Sequence, residues 1–370
     1  MQKGSKVNIS QGQLFFLIIQ AQIGVGILSL PFAVHSTAKG DGWISTLMAG
    51  FVIQLWMMIS LTLSRCFPEK NFFQILRHLF GKVFGSFLIV SYTLYFTAVA
   101  GLVAVLQTGL INKWILPLTP FWVLYLLIII IAVYLATDNI LIIARFFGLT
   151  TGIIVFFILL IATVYRDANI AYILPVGQSG IKNIILAIKD VLLALTGFEL
   201  ILLIYPMIKN KQKTAKTLTF ANITTVLIYG FLVFTSLIIF SPEEITLVPE
   251  PVLYMLKAIS FEVIERLDLI FLSIWVIPMT NSFIIYLYQA SKGLKELFHT
   301  QSHAPFVPII VFPIFISGFF LQNKFIIEDI NKIFQYVIFV FAFILPLFFL
   351  LIALVKKKMN RRKINESAKF

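Results

Sequence analysis

One cysteine and 12% charged side chains in 370 residues remove several explanations at once. Cys66 has no intrachain partner, so no disulfide framework holds this chain, and it reads as a small residue at a helix end. Charge is scarce and lopsided, with 16 acids against 29 Lys and Arg and a net charge of +13. The sequence contains no P-loop, nucleophile elbow, zinc-type motif or haem-type motif. His35, His78, His299 and His303 are placed in loops, without metal-ligand spacing. The reading is therefore a non-enzyme with no metal and no cofactor.

What the sequence has in excess is apolar length. Hydrophobic residues make up 60% of it, against about 45–50% in soluble domains. Charge-free runs cover 7–34, 42–64, 83–112, 114–137, 146–165, 217–242, 269–291, 304–323 and 333–355. Each reaches the roughly 20 residues that cross a bilayer as a helix. A tenth run, 191–208, is broken only by Glu199. The first run is longer than a signal-peptide core of about 7–15 residues, has no persuasive cleavage site and reads as a retained helix.

The basic residues write an orientation rather than a nucleic-acid site. With ten helices and both termini cytoplasmic, 20 of the 29 Lys and Arg fall on the inner side, as the positive-inside rule requires. The tail from Lys356 to Lys363 suits anionic lipid. The predicted fold is an all-α integral membrane protein of ten transmembrane helices. Approximate spans are 11–33, 42–64, 83–110, 120–137 and 146–165, then 183–207, 217–240, 268–291, 305–321 and 333–355. One membrane domain over 1–370 thus contains a first five-helix set (11–165), a second (183–355) and a basic cytoplasmic tail (356–370).

Five spans per half force the second set to enter the membrane upside down. That 5+5 inverted repeat is the LeuT-like topology, whose first helix in each half is discontinuous. Helix 1 carries Gly24-Val25-Gly26 with Pro31 downstream, and helix 6 carries Thr196-Gly197-Phe198, then Glu199 and Pro206. The halves share no sequence identity, so the repeat rests on hydropathy and on these matching defects. Unwound backbone is tolerated at membrane depth only where it is buried in protein or lines a cavity. Its freed N–H groups suit a carboxylate and its freed carbonyls an ammonium. A zwitterionic amino acid needs both. Simple close packing by Gly24 and Gly26 is the competing explanation.

Glu199 has three available roles: a cap for unwound helix 1, an amine ligand, or a proton-coupling acid. Candidate ligand-binding positions are Gln22, Gly24, Val25, Gly26, Ile27, Tyr95, Thr196, Gly197, Phe198 and Glu199. Gln20, Tyr92 and Thr97 are weaker. Thr280, Asn281 and Ser282 offer oxygens for an ion or water path. The longest outer loop, 241–266, combines an acidic, proline-rich stretch with an amphipathic helix, and reads as a lid, a docking surface or a connector.

The blocks "ISQGQLFFLIIQAQIGVGILSLPF" (9–32), "GDGWIS" (40–45) and "TGFELIL" (196–202) resemble spore germinant-receptor B subunits. The resemblance extends over the whole chain, whereas the GVGI and GFE elements are shared by the wider amino acid–polyamine–organocation superfamily. It implies a multi-pass protein of the spore inner membrane, partnered by receptor A and C subunits, that senses a nutrient, commonly an amino acid. Gly24, Val25 and Gly26 would then bind the germinant through backbone, opposite Thr196, Gly197, Phe198 and Glu199. One departure concerns coupling: helix 5 lacks the lysine that some superfamily members use. A receptor subunit and an amino-acid permease therefore stand as the two expectations.

Overall fold

The computed structural model describes residues 8–258, 267–321 and 324–367. Its helices are α1 (Gln11–Gln22), α2 (Gly26–Ala38), α3 (Gly42–Cys66), α4 (Phe72–Trp114), α5 (Phe121–Ala136), α6 (Ile140–Ile161) and α7 (Gly180–Ala194). They continue as α8 (Leu200–Ile204), α9 (Thr214–Ile239), α10 (Pro251–Ala258), α11 (Leu267–Leu297), α12 (Phe306–Phe320), α13 (Lys324–Ile338) and α14 (Leu345–Ser367). Among the described residues, six helical stretches are long and apolar enough to cross a membrane, and α5 and α12 are shorter apolar helices. Large side chains such as Phe51, Tyr134 and Leu149 are exposed on the outside of the bundle. Polar groups such as Gln20, Gln107 and Asn281 are buried within it. This inside-out distribution fits a chain solvated by lipid.

Local sequence explains three helix starts. Ser10 and Gln13 form a capping box at α1, and Asn71 and Gln74 form another at α4. Asn139 accepts from the first amides of α6. Such caps satisfy N–H groups that a helix cannot satisfy internally. The chain bends inside α4 at Gly81, so 72–80 form an extra helical arm ahead of the expected span at 83.

The "GDGW" block has a structural explanation. Asp41 is fully buried in the turn between α2 and α3, where its carboxylate accepts from the amides of Gly177 (2.7 Å) and Ser179 (2.9 Å) and from the Ser179 hydroxyl (2.7 Å). It thereby ties the first third of the chain to the 174–180 connection. We call the face bearing Asp41 distal, and the face bearing the start of α1 proximal.

Three expectations change. His35 and His78 lie inside α2 and α4 rather than in loops, because α2 continues through Pro31 to Ala38 and α4 begins at Phe72. The last expected span at 333–355 is one part of a longer run. Here α13 and α14 are joined by a π-helical stretch, Phe339–Ile344, whose wider turn leaves carbonyls free for side-chain partners. Tyr92 donates to the Phe341 carbonyl (3.0 Å) and Trp56 to that of Phe343 (2.9 Å). Of the amphipathic helix expected in the 241–266 loop, α10 covers the beginning, and 259–266 lie outside the described residues.

Candidate functional site: a cavity between two helix breaks

The first long apolar segment is interrupted where the glycines predict it. α1 ends at Gln22, Ile23 is extended (φ −91°, ψ 109°), and α2 restarts at Gly26 with no side chain capping its first amides. The second interruption runs from Leu195 to Glu199, between α7 and α8. Here Gly197 has φ 109°, and a Cβ on it would collide with the Ala21 carbonyl. Only glycine combines that conformation with that approach. The two breaks therefore touch through backbone.

Side chains tie the breaks together. Gln22 Nε2 donates to the Leu195 carbonyl (3.0 Å). The buried Tyr229 hydroxyl lies between the carbonyls of Gln22 (2.8 Å) and Ala194 (3.1 Å). Ser282 of α11 donates to the Ile23 carbonyl (3.0 Å), and a Cβ on Gly24 would sit 2.9 Å from its Oγ. Glu199 is 4% exposed. Its Oε2 accepts from the Gly197 amide (2.9 Å), and its Oε1 accepts from Tyr95 (3.2 Å) and Tyr286 (3.4 Å). That arrangement satisfies the carboxyl inside the protein and fixes the local turn.

Above the breaks a cavity of about 340 Å³ extends toward the distal face. Gln22, Gly24, Val25, Gly26 and Thr196 line it, together with Ser282 and Tyr286. The apolar wall comes from Val99, Leu102, Val103 and Leu106 of α4, with Phe334 and Ile338 of α13. Its size falls in the usual range of small-molecule sites, about 300–1,000 Å³. On the proximal side the segment before α1 pairs with the segment after α8. Ile9 forms a parallel backbone bridge with Ile208, the Ile9 amide donating to Met207 (2.7 Å) and the Lys209 amide to Ile9 (3.1 Å).

The candidate residues thus divide. Gln22, Gly24, Val25, Gly26, Thr196 and Ser282 line the cavity, while Ile27, Tyr95, Gly197, Phe198, Glu199, Thr280 and Asn281 do not. Phe198 packs edge-on against Phe343. Thr280 accepts from Gln107 (2.7 Å). Asn281 donates to Gln20 Oε1 (3.0 Å) and to Thr150 (2.9 Å), building a polar clamp between α1, α6 and α11. Four further polar residues, Ser29, Asp190, Asn331 and Gln335, complete the wall and carry no motif that marks them in one dimension. Asp190 lies close to the end of α7, just ahead of the second break. In sequence it sits beside Lys189, outside the apolar run that begins at Val191.

Residues 8–326 match the Spore_permease family, described as spore germination protein. The chain belongs to this family. Among curated relatives, spore germination protein GerQB of Bacillus cereus is 27% identical over 356 residues, covering 95% of this chain and 98% of the relative. Spore germination protein A2 of Bacillus subtilis (strain 168) is 24% identical over 373 residues, covering 98% and 100%. Among solved structures, the nucleobase-cation-symport-1 family transporter Mhp1, closed with bromovinylhydantoin bound, superimposes with a TM-score of 0.65 at 12% identity, covering 91% of this chain and 77% of that one. MhsT in complex with L-phenylalanine gives 0.62 at 13% identity, covering 85% and 80%. This spore germination protein therefore has the fold of those transporters.

Proposed function

We infer that this chain is the nutrient-sensing membrane subunit of a spore germination receptor, and that it binds an amino acid in the cavity between the two breaks. The observation that carries this reading is the cavity itself: both interruptions contribute to one wall, where uncapped amides of α2 meet side-chain and backbone acceptors. Helix N-termini attract carboxylates through unpaired N–H groups. In this reading the bundle has ten spans as two inverted five-helix sets, both termini are cytoplasmic, and the membrane is the spore inner membrane. Binding shifts a conformational equilibrium that receptor A and C subunits read, with no chemical step catalysed.

A permease is the second reading, favoured by the transporter fold. The two readings share the cavity and differ in whether the solute crosses. The test is germination of spores carrying Gly26→Val, which places a branched side chain at the cavity wall, across an amino-acid panel with subunit levels checked. A lost or altered response at normal protein levels is expected. An unchanged response removes the cavity from sensing. Uptake of a radiolabelled amino acid by the isolated protein in growing cells would instead favour the permease.

A further inference from the structure

One acid of the cavity has no role among the sequence-based candidates. Asp190 lies on α7 four residues before its end, about 6 Å along the axis toward the distal face. It lines the cavity and has no hydrogen bond or ion pair with a described residue. Asn331 and Gln335 of α13 line the same cavity and are likewise without hydrogen-bond partners among the described residues. Glu199, by contrast, has both oxygens occupied by protein donors. Any cationic group entering this cavity therefore meets Asp190 as its carboxylate.

The wall combines three kinds of surface. At the breaks are the uncapped amides of α2 and Gln22, a 1% exposed residue whose Oε1 has no hydrogen-bond partner among the described residues. Leu102, Val103 and Phe334 add apolar wall, and Asp190 lies one helical turn from Ala194, which faces Gly26. Building on the amino-acid reading above, we propose that the cavity selects a basic amino acid. The α-carboxylate lies on the α2 amides, the α-ammonium on Gln22, the methylene stem against the apolar wall, and the terminal cation on Asp190. Lys and Arg carry such apolar stems behind a charged head.

The experiment is equilibrium binding of radiolabelled L-lysine and L-norleucine to the purified full-length chain in lipid nanodiscs. Norleucine keeps the four-carbon side chain and lacks the terminal ammonium. Lysine is expected to bind at least about tenfold more tightly, as one well-placed charge pair permits, and Asp190→Asn to remove that preference. Size-exclusion profiles verify that the variant is folded, and Gln335→Leu on the facing helix gives an independent, smaller loss of the same preference. Norleucine binding as tight as lysine overturns the Asp190 assignment and leaves the amino-acid site standing. Binding of neither overturns both.

Discussion

The two breaks solve one physical problem in opposite ways. Backbone unwound at membrane depth must find partners inside the protein. The α7/α8 break carries its own: Glu199, two residues after Gly197, turns back to accept that amide, and Tyr95 and Tyr286 complete its oxygens. The α1/α2 break borrows partners from elsewhere, taking Ser282 from α11 and Tyr229 from α9, and leaves the α2 amides uncapped. A self-satisfied break is a rigid wall. An open one has capacity left for a ligand. Under the proposed function, the difference gives Glu199 a structural role and residues 22–26 the recognition role.

Substitutions at the two breaks should therefore differ in size. Gly197→Ala should be the most damaging, because φ 109° and the collision with Ala21 act together. Strain at such a position is about 1–3 kcal/mol before any clash is added, and loss of monodisperse protein by size exclusion is expected. Glu199→Ala should come next, since it leaves the Gly197 amide and two tyrosine hydroxyls without their acceptor. Each unsatisfied buried group is worth about 1–3 kcal/mol, so thermal unfolding should move sharply downward, with Glu199→Gln intermediate. A variant that unfolds normally yet binds no amino acid would instead make Glu199 a ligand and break the comparison.

Tyr229→Phe should be milder, about 1 kcal/mol, because it removes one hydroxyl held between the two breaks. Its unfolding temperature should fall between those of Glu199→Gln and the parent protein. Smallest is the pair Gly24→Ala and Gly26→Ala. At Gly24 the new Cβ meets Ser282 Oγ at 2.9 Å, whereas at Gly26 the nearest atom is Ala194 Cβ at 3.6 Å, an ordinary contact. Gly24→Ala should therefore lower the unfolding temperature measurably, and Gly26→Ala should leave it within error.

Both breaks are legible in the sequence because glycine interrupts an otherwise uniform apolar run and an intramembrane acid follows the second. The apolar helices are legible from length alone. What connects the breaks is not. Nothing in one dimension says that Gln22 reaches Leu195, or that Tyr229 spans both carbonyls, since the contacts of Gln22 with Leu195 and Tyr229 join residues 173 and 207 positions apart. The start of α13 is hidden because Glu328, Asp329 and Lys332 interrupt its apolar pattern. Asn331 and Gln335, four apart on that helix, lie on one face and line the cavity. Asp190 and Ala194 show the same spacing on α7, a signal masked by the lysine next to Asp190.

The most direct measurement uses the lone cysteine to advantage. In a Cys66→Ser background, Ser29→Cys places a single thiol on the cavity wall, and its labelling by a soluble thiol reagent is timed with and without each amino acid to which the spores respond. With a ligand site between the breaks, a germinating amino acid slows labelling and a non-germinating one does not. Identical labelling rates throughout, in protein that still supports germination, would contradict that site.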